Sequence, residues 1–231
     1  MLHFYHPANL NLLSKIDLMQ IVVKATDTQQ KEFLLKGIPE GIDLWFHNNE
    51  TVIPEAAAYF DLCYEEEGPA FADIKEKPVF INAVIDGSHI FAANCFRINA
   101  WNGFLARDIL EICMPAATGS EEDALVIAAK NILAALHWKY QPVADVPGMI
   151  AARVIAMIVN EAYFGLGDGI SSRADIDTAM KLGTNYPYGP FEWAGIIGLP
   201  KIYRLLKRLA ETDARYTIAP LLLMETEEKN N

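Results

Sequence analysis

Apolar positions along this chain fall first into short β-branched or aromatic blocks and later into runs at helical spacing. The segment up to Asp17 is apolar without a pattern and predicts no element. Met19 to Ala25 is short and β-branched, which predicts a buried strand. Thr28 then stands where a helix cap belongs, before a helix from Gln29 to Lys36 that Gly37 ends. Asp43 to Phe46 predicts a second strand, and a long helix is expected from Glu50, with Pro54 early in it, to Gly68-Pro69. Pro78 to Ile85 predicts a third strand, and Ile90 to Ile98 and Leu105 to Met114 two further extended runs. Ser120, followed by Glu121, Glu122 and Asp123, predicts a strong helix reaching Tyr140 before Pro142 stops it.

The most informative stretch runs from Val143 to Leu199. A first helix is expected from Pro147, whose fixed φ suits a first turn, to Phe164, with Gly165, Gly167 and Gly169 ending it. It is apolar nearly all round and should be buried on several sides. Ser172, three residues before Asp175, reads as a capping box for a second helix that Gly183 ends. Asn185, Pro187, Gly189 and Pro190 then force a turn that delivers Phe191 and Trp193 to an apolar surface. Pro200 to Thr212 predicts an amphipathic helix, with Ile202, Leu205, Leu206 and Leu209 inward and Lys201, Arg204, Lys207 and Arg208 on a solvated basic face. Glu225 to Asn231 reads as a frayed acidic tail.

The residues Asp145-Val-Pro147-Gly148-Met-Ile150-x-x-Arg153, Asn160-Glu161-Ala162, Asp175-Ile176-Asp177-x-Ala179-Met180, Tyr188-Gly189-Pro190-Phe191 and Ile197-Gly198-Leu199 resemble, in order and spacing, the C-terminal helical domain of 3-hydroxyacyl-CoA dehydrogenases. The resemblance implies an α/β domain followed by an all-α one. The first, over 1–141, would be a trimmed Rossmann-like NAD(P)-binding-type domain. The second, over 142–231, would be a helical 6-phosphogluconate-dehydrogenase-C-terminal-like domain, through which such enzymes dimerise.

It also implies a site. The family's base, in H-F-F-N-P, falls on Asn99, an amide that cannot take and return a proton near neutral pH. The orienting carboxylate falls on Glu111, twelve residues on. The polarising asparagine falls on Ala152, and the serine, across a gap, on Val84. NAD is the family's cofactor, yet none is expected here. A dinucleotide-binding turn needs G-x-G-x-x-G so that backbone can approach the pyrophosphate, whereas Ala25-Thr-Asp27-Thr-Gln-Gln30 has no glycine and carries an acid. The short stretch before the second strand also points to loss of the region carrying the adenosine-ribose carboxylate. Of the histidines, His47 and His89 are candidate replacement bases; His3 and His6 lie in the unassigned opening and His137 within a helix. Glu111 would persist because Asn99 donates to it, or because it binds something else.

Composition narrows the partners. The chain has 231 residues, 52% of them hydrophobic, ample for a packed core. A net charge of −11 argues against nucleic acid or an anionic membrane. Cys63, Cys95 and Cys113 are odd in number and widely spaced, which suggests neither a disulfide framework nor a zinc site, so no metal is expected. The opening Met1 to Pro7 lacks signal-peptide features, and no run is long and apolar enough to span a membrane, so a cytoplasmic home is expected. Two functions remain open: a catalytically impaired homologue that binds acyl-CoA or a partner enzyme of fatty-acid metabolism as a homodimer, and a working NAD-dependent oxidoreductase with shifted residues.

Overall fold

The structure is a computed structural model, and it describes residues 18–48, 55–87, 90–115 and 123–228. The opening to Asp17, the start of the helix expected from Glu50, His89 and the caps Ser120, Glu121 and Glu122 lie outside the described residues. A seven-stranded sheet takes the order β2-β1-β3-β4-β5-β6-β7, built from β1 (Met19–Lys24), β2 (Ile42–Phe46), β3 (Ala58–Asp61), β4 (Val79–Asn82), β5 (Cys95–Ile98), β6 (Ile109–Cys113) and β7 (Lys139–Pro142). The first five strands in that order are parallel, β6 runs antiparallel to β5, and β7 is parallel to β6. Strand alternation sorts the core into two faces. Ile21, Val23, Phe60 and Phe80 point toward Phe33 of α1 (Asp27–Leu35) and toward Leu133 of α3 (Ala124–Ala135). Val22, Tyr59, Val79 and Ile81 pack on the other side with Phe71.

Several sequence expectations are corrected here. The segment expected as one long helix to Gly68 contains β3, buried at all four positions and paired on both sides, and only Tyr64–Glu67 turns into a helix, α2. A strand with neighbours on both edges and both faces covered is continuously apolar, which hides its period. The cap of α1 is Thr26, not Thr28. Its hydroxyl accepts the Gln29 N–H at 3.3 Å while the Gln29 amide oxygen takes the Thr26 N–H at 3.0 Å, a reciprocal capping box. α3 stops at Ala135, and the residues beyond it form β7 because β6 offers an open edge.

The C-terminal helices are α4 (Ala151–Gly167), α5 (Arg173–Thr184), α6 (Pro190–Ile197), α7 (Leu199–Ala210) and α8 (Pro220–Glu228). Pro147 to Met149 form a turn ahead of α4 instead of its first turn. Gly148, at φ +79°, donates its N–H to the Val84 carbonyl at 2.7 Å, and a Cβ there would meet Arg153 at 2.9 Å. Gly165 and Gly167 lie inside α4, and Asn185 in the left-handed region ends α5 in place of Gly183. The Ser172 cap holds, its hydroxyl accepting the Asp175 N–H at 3.2 Å. The expected acidic tail is largely α8, tied down by the Tyr163 hydroxyl on Glu225 at 3.0 Å and by an Arg173–Glu225 ion pair. The basic face of α7 is not simply solvated: Lys201 reaches Glu66 at 2.8 Å and Arg208 reaches Asp86 at 3.7 Å.

α4 packs on α6, α7 and α8, and Ala152, Ile155, Ala156, Val159 and Tyr163 enter a core with Leu205, Leu206 and Trp193. Val84, Trp101 and Phe104, from the sheet side of the chain, belong to the same core. Each fully buried large apolar side chain of this kind is worth about 1.5–3 kcal/mol.

Candidate active site

β5 and β6 pair antiparallel with Ile98 opposite Ile112, so the next residue of β5's chain, Asn99, faces Glu111. The twelve-residue spacing therefore becomes a direct contact. The Asn99 amide nitrogen donates to one Glu111 oxygen at 3.3 Å, and the Ala151 N–H, at the first residue of α4, donates to the other at 2.9 Å. A carboxylate at a helix N-terminus is stabilised by the unpaired amides and the dipole there. Asn99 is buried, and its amide oxygen has no partner. Ala152 is fully buried in the helical core and offers no polar atom. Val84 is also fully buried; its N–H goes to Glu65 at 2.5 Å and its carbonyl accepts from Gly148. The structure thus brings Asn99 and Glu111 together beside the start of α4, while Val84 is bound into a separate network.

Neither histidine among the described residues is a partner of Glu111. His47 follows β2, five strands from β6 in the sheet, which at about 4.8 Å per strand is roughly 24 Å away. His137 is exposed beyond the end of α3. Among the described residues, the side chain that Glu111 meets is therefore an amide, which does not take and return a proton near pH 7.

Beside Glu111 lies a cavity of about 550 Å³, walled mainly by Phe104, Ile150, Val154, Tyr186, Tyr188 and Trp193. Gly103, at φ +87°, admits the Trp193 ring, which a Cβ would meet at 2.9 Å. The ring stacks on Phe104 at 5.2 Å and meets Tyr188 edge-on at 4.9 Å.

The second site to weigh is the crevice between the C-terminal ends of β1 and β3, where the crossovers diverge and a doubly wound fold would receive a dinucleotide. Here it is filled by the chain itself. Gln29, 2% exposed, sends its amide nitrogen to the carbonyls of Leu62 at 2.7 Å and Ala100 at 3.5 Å. Asn82 joins the same carbonyl of Leu62 at 3.2 Å and accepts the Ala100 N–H at 3.0 Å. Lys24 pairs with Glu67 at 2.8 Å. Asp61 takes the Ala70 N–H at 2.7 Å but leaves one oxygen without a partner, and burial pushes its carboxyl up to about 6. Burial likewise pushes the Cys63 thiol up to about 11. With the α1 N-terminus closed by Thr26 and Gln29 and an acid at Asp27, these residues do not fit a pyrophosphate. The expected loss of the ribose-binding region is only partly right: β2 does lie beside β1, and its C-terminal end carries Phe46 and His47, neither an acid.

Sequence reasoning missed three features. Glu65 accepts from Val84, from Ile85 at 2.8 Å and from the Trp101 indole at 2.7 Å; burial pushes its carboxyl up against the pull of these donors. Arg97, fully buried in β5, pairs with Asp145 and donates to the Ala83 carbonyl at 2.8 Å. A charge inside the apolar run Cys95 to Ile98 was the available signal. Arg107, at the mouth of the cavity, carried no signal at all.

A family model for the 3-hydroxyacyl-CoA dehydrogenase C-terminal domain matches residues 148–230. This region is similar to that C-terminal domain. The chain is 54% identical over 67 residues to a 3-hydroxyadipyl-CoA dehydrogenase of Escherichia coli, covering 29% of this chain and 14% of that protein. It is 34% identical over 122 residues to a 3-hydroxybutyryl-CoA dehydrogenase of Bradyrhizobium diazoefficiens, covering 52% and 41%. These matches span less than half the length of either relative. Among solved structures, the (S)-3-hydroxybutyryl-CoA dehydrogenase of Ralstonia eutropha superposes with a TM-score of 0.69 at 15% identity over 92% of this chain and 94% of that one, a likeness of fold. A 3-hydroxybutyryl-CoA dehydrogenase from Escherichia coli matches 63% of this chain and 31% of its own at 32% identity, with a TM-score of 0.55. The 3-hydroxyacyl-CoA dehydrogenase fold, a parallel-dominated sheet with a helical C-terminal region, accounts for the architecture. Among the described residues, no helix is long and apolar enough to cross a membrane.

Proposed function

We propose that this chain is a 3-hydroxyacyl-CoA dehydrogenase homologue that binds an acyl-CoA without moving hydride. The observation that carries this reading is the Asn99 amide donating to Glu111 where the family resemblance calls for a base. The contact joins the carboxylate to an amide, a group that cannot take and return a proton near neutral pH. The filled crevice at Gln29 and the buried alanine at 152 support it, and the apolar cavity beside Glu111 supplies space for an acyl group. The names of the relatives, both 3-hydroxyacyl-CoA dehydrogenases, support an acyl-CoA as the ligand.

On the same reading the chain is a homodimer of the cytoplasm, where its three thiols stay reduced. α5 buries no residue, and Ile170 and Leu182 are exposed on the helical side, a surface suited to a second copy. A monomeric mass in sedimentation at micromolar concentration would refute the dimer.

Thermal unfolding with NADH and with acetoacetyl-CoA tests the function. A ligand at a hundred times its Kd stabilises by about 2.7 kcal/mol, and at 2–4 °C per kcal/mol the midpoint rises by roughly 5–10 °C. The CoA ester should produce such a rise, and NADH none. Stabilisation by NADH, with loss of nicotinamide absorbance when acetoacetyl-CoA is added, would overturn the reading.

A further inference from the structure

The cavity beside Glu111 carries a chemical preference at its rim. Two charged side chains interrupt its apolar wall, Glu111 and Arg107. Both oxygens of Glu111 are already satisfied, by Asn99 and by the Ala151 N–H. Arg107 is exposed, with its guanidinium carbon 5.5 Å from the centre of the Phe104 ring. It makes no ion pair among the described residues; the guanidinium rests on the Phe104 face, while the Arg107 backbone N–H donates to the Phe104 carbonyl and its carbonyl accepts from Lys36. Trp193, 5% exposed, forms another part of the wall and holds its indole N–H without a partner. The charged group left free at the rim is therefore the Arg107 cation. A guanidinium resting on an aromatic ring keeps its planar fork free for a bidentate carboxylate, the geometry in which arginine binds best.

We infer that this cavity takes an alkyl chain carrying a carboxylate, the chain lying against Ile150, Val154 and Tyr186 and the carboxylate meeting Arg107. The inference rests on the acyl-binding reading above and specifies what that site selects. The carboxylate has two sources: a free alkanoate, or the distal end of a dicarboxylic acyl thioester.

Calorimetric titration of the full chain with octanoate against octanol, and with adipyl-CoA against hexanoyl-CoA, separates them. A charge-assisted hydrogen-bonded pair beside an apolar wall corresponds to about tenfold in affinity. At least one carboxylated ligand should therefore bind about tenfold more tightly than its uncharged counterpart. Preference in the first pair alone identifies the free acid, and preference in the second alone the dicarboxylic thioester. Arg107→Gln should abolish the preference, and Arg107→Lys should keep part of it. Arg107 is exposed, and unchanged thermal midpoints of both variants establish that they fold. Equal affinities within both pairs, or a preference indifferent to Arg107→Gln, overturn the inference while acyl binding stands. Absence of binding by all four ligands overturns both.

Discussion

Replacing Asp145 with alanine isolates the charge of Arg97. The guanidinium side chain is 0% exposed and its carboxylate partner 32% exposed, so the cation depends on Asp145 more than the reverse. Two backbone acceptors remain to it after the substitution, the carbonyls of Ala83 at 2.8 Å and Val84 at 3.3 Å, but they carry no neutralising charge. Breaking a buried pair by removing one member costs about 3–5 kcal/mol. Because Asp145 is a third exposed, the lower end applies, roughly 3 kcal/mol. For a chain of this size each kcal/mol moves the melting midpoint by about 2–4 °C, which gives a fall of roughly 6–12 °C. Circular dichroism melts at pH 7 read this directly. The double variant Arg97→Met with Asp145→Leu removes both charges and keeps apolar bulk, and it should lose less than Asp145→Ala alone. A fall under about 2 °C in the single variant, or a double variant worse than the single, would show that the pair does not hold a buried charge in place.

Two further outcomes concern carboxyl groups. Asn99→Asp sets a second carboxylate against Glu111 across a contact of 3.3 Å, which raises the pKa of the pair. Its stability deficit relative to the parent should grow as pH rises from 4 to 7 and shrink again below about pH 4; a pH-independent deficit in urea unfolding would sink the idea. Asp61, raised from 3.8 to about 6 by burial, binds its proton more tightly folded than unfolded. Its favourable contribution is complete below the unfolded pKa and is lost as pH rises through about 6, a change of roughly 3 kcal/mol. Asp61→Asn keeps an acceptor for the Ala70 N–H and should remove that slope, so the parent gains on the variant between pH 7 and pH 4; parallel stability curves for the two proteins would refute this.

What could be read from the sequence follows from where each signal is stored. β1 and β4 announce themselves as short β-branched or aromatic blocks and α7 through its helical period, and the Asn99–Glu111 contact follows from a fixed spacing across two antiparallel strands. β3 escaped because a short apolar block has no period to separate strand from buried helix, and its two sheet neighbours, distant in sequence, decided the matter. β7 escaped because Lys139 to Pro142 is half polar and becomes a strand only through β6. The acidic residues from Glu225 onward masked α8, whose Glu225 is held by Tyr163 and Arg173. The filling of the crevice was legible only as missing glycines. That Gln29 turns inward to Leu62 and Ala100 is a tertiary fact, carried by no local pattern.

The dual use of Gln29 makes the closed crevice hard to reopen by small steps. Its amide oxygen holds the start of α1 through Thr26, and its amide nitrogen ties that helix to the ends of two other strands' chains. Glycine at 26 would remove the cap, and a smaller residue at 29 would leave the Thr26 N–H without its acceptor, each at about 1 kcal/mol or more. Any single change toward room for a nucleotide loses stability before a ligand can repay it. Making room there would take replacements at 26 and 29 together, because each residue holds the other in place.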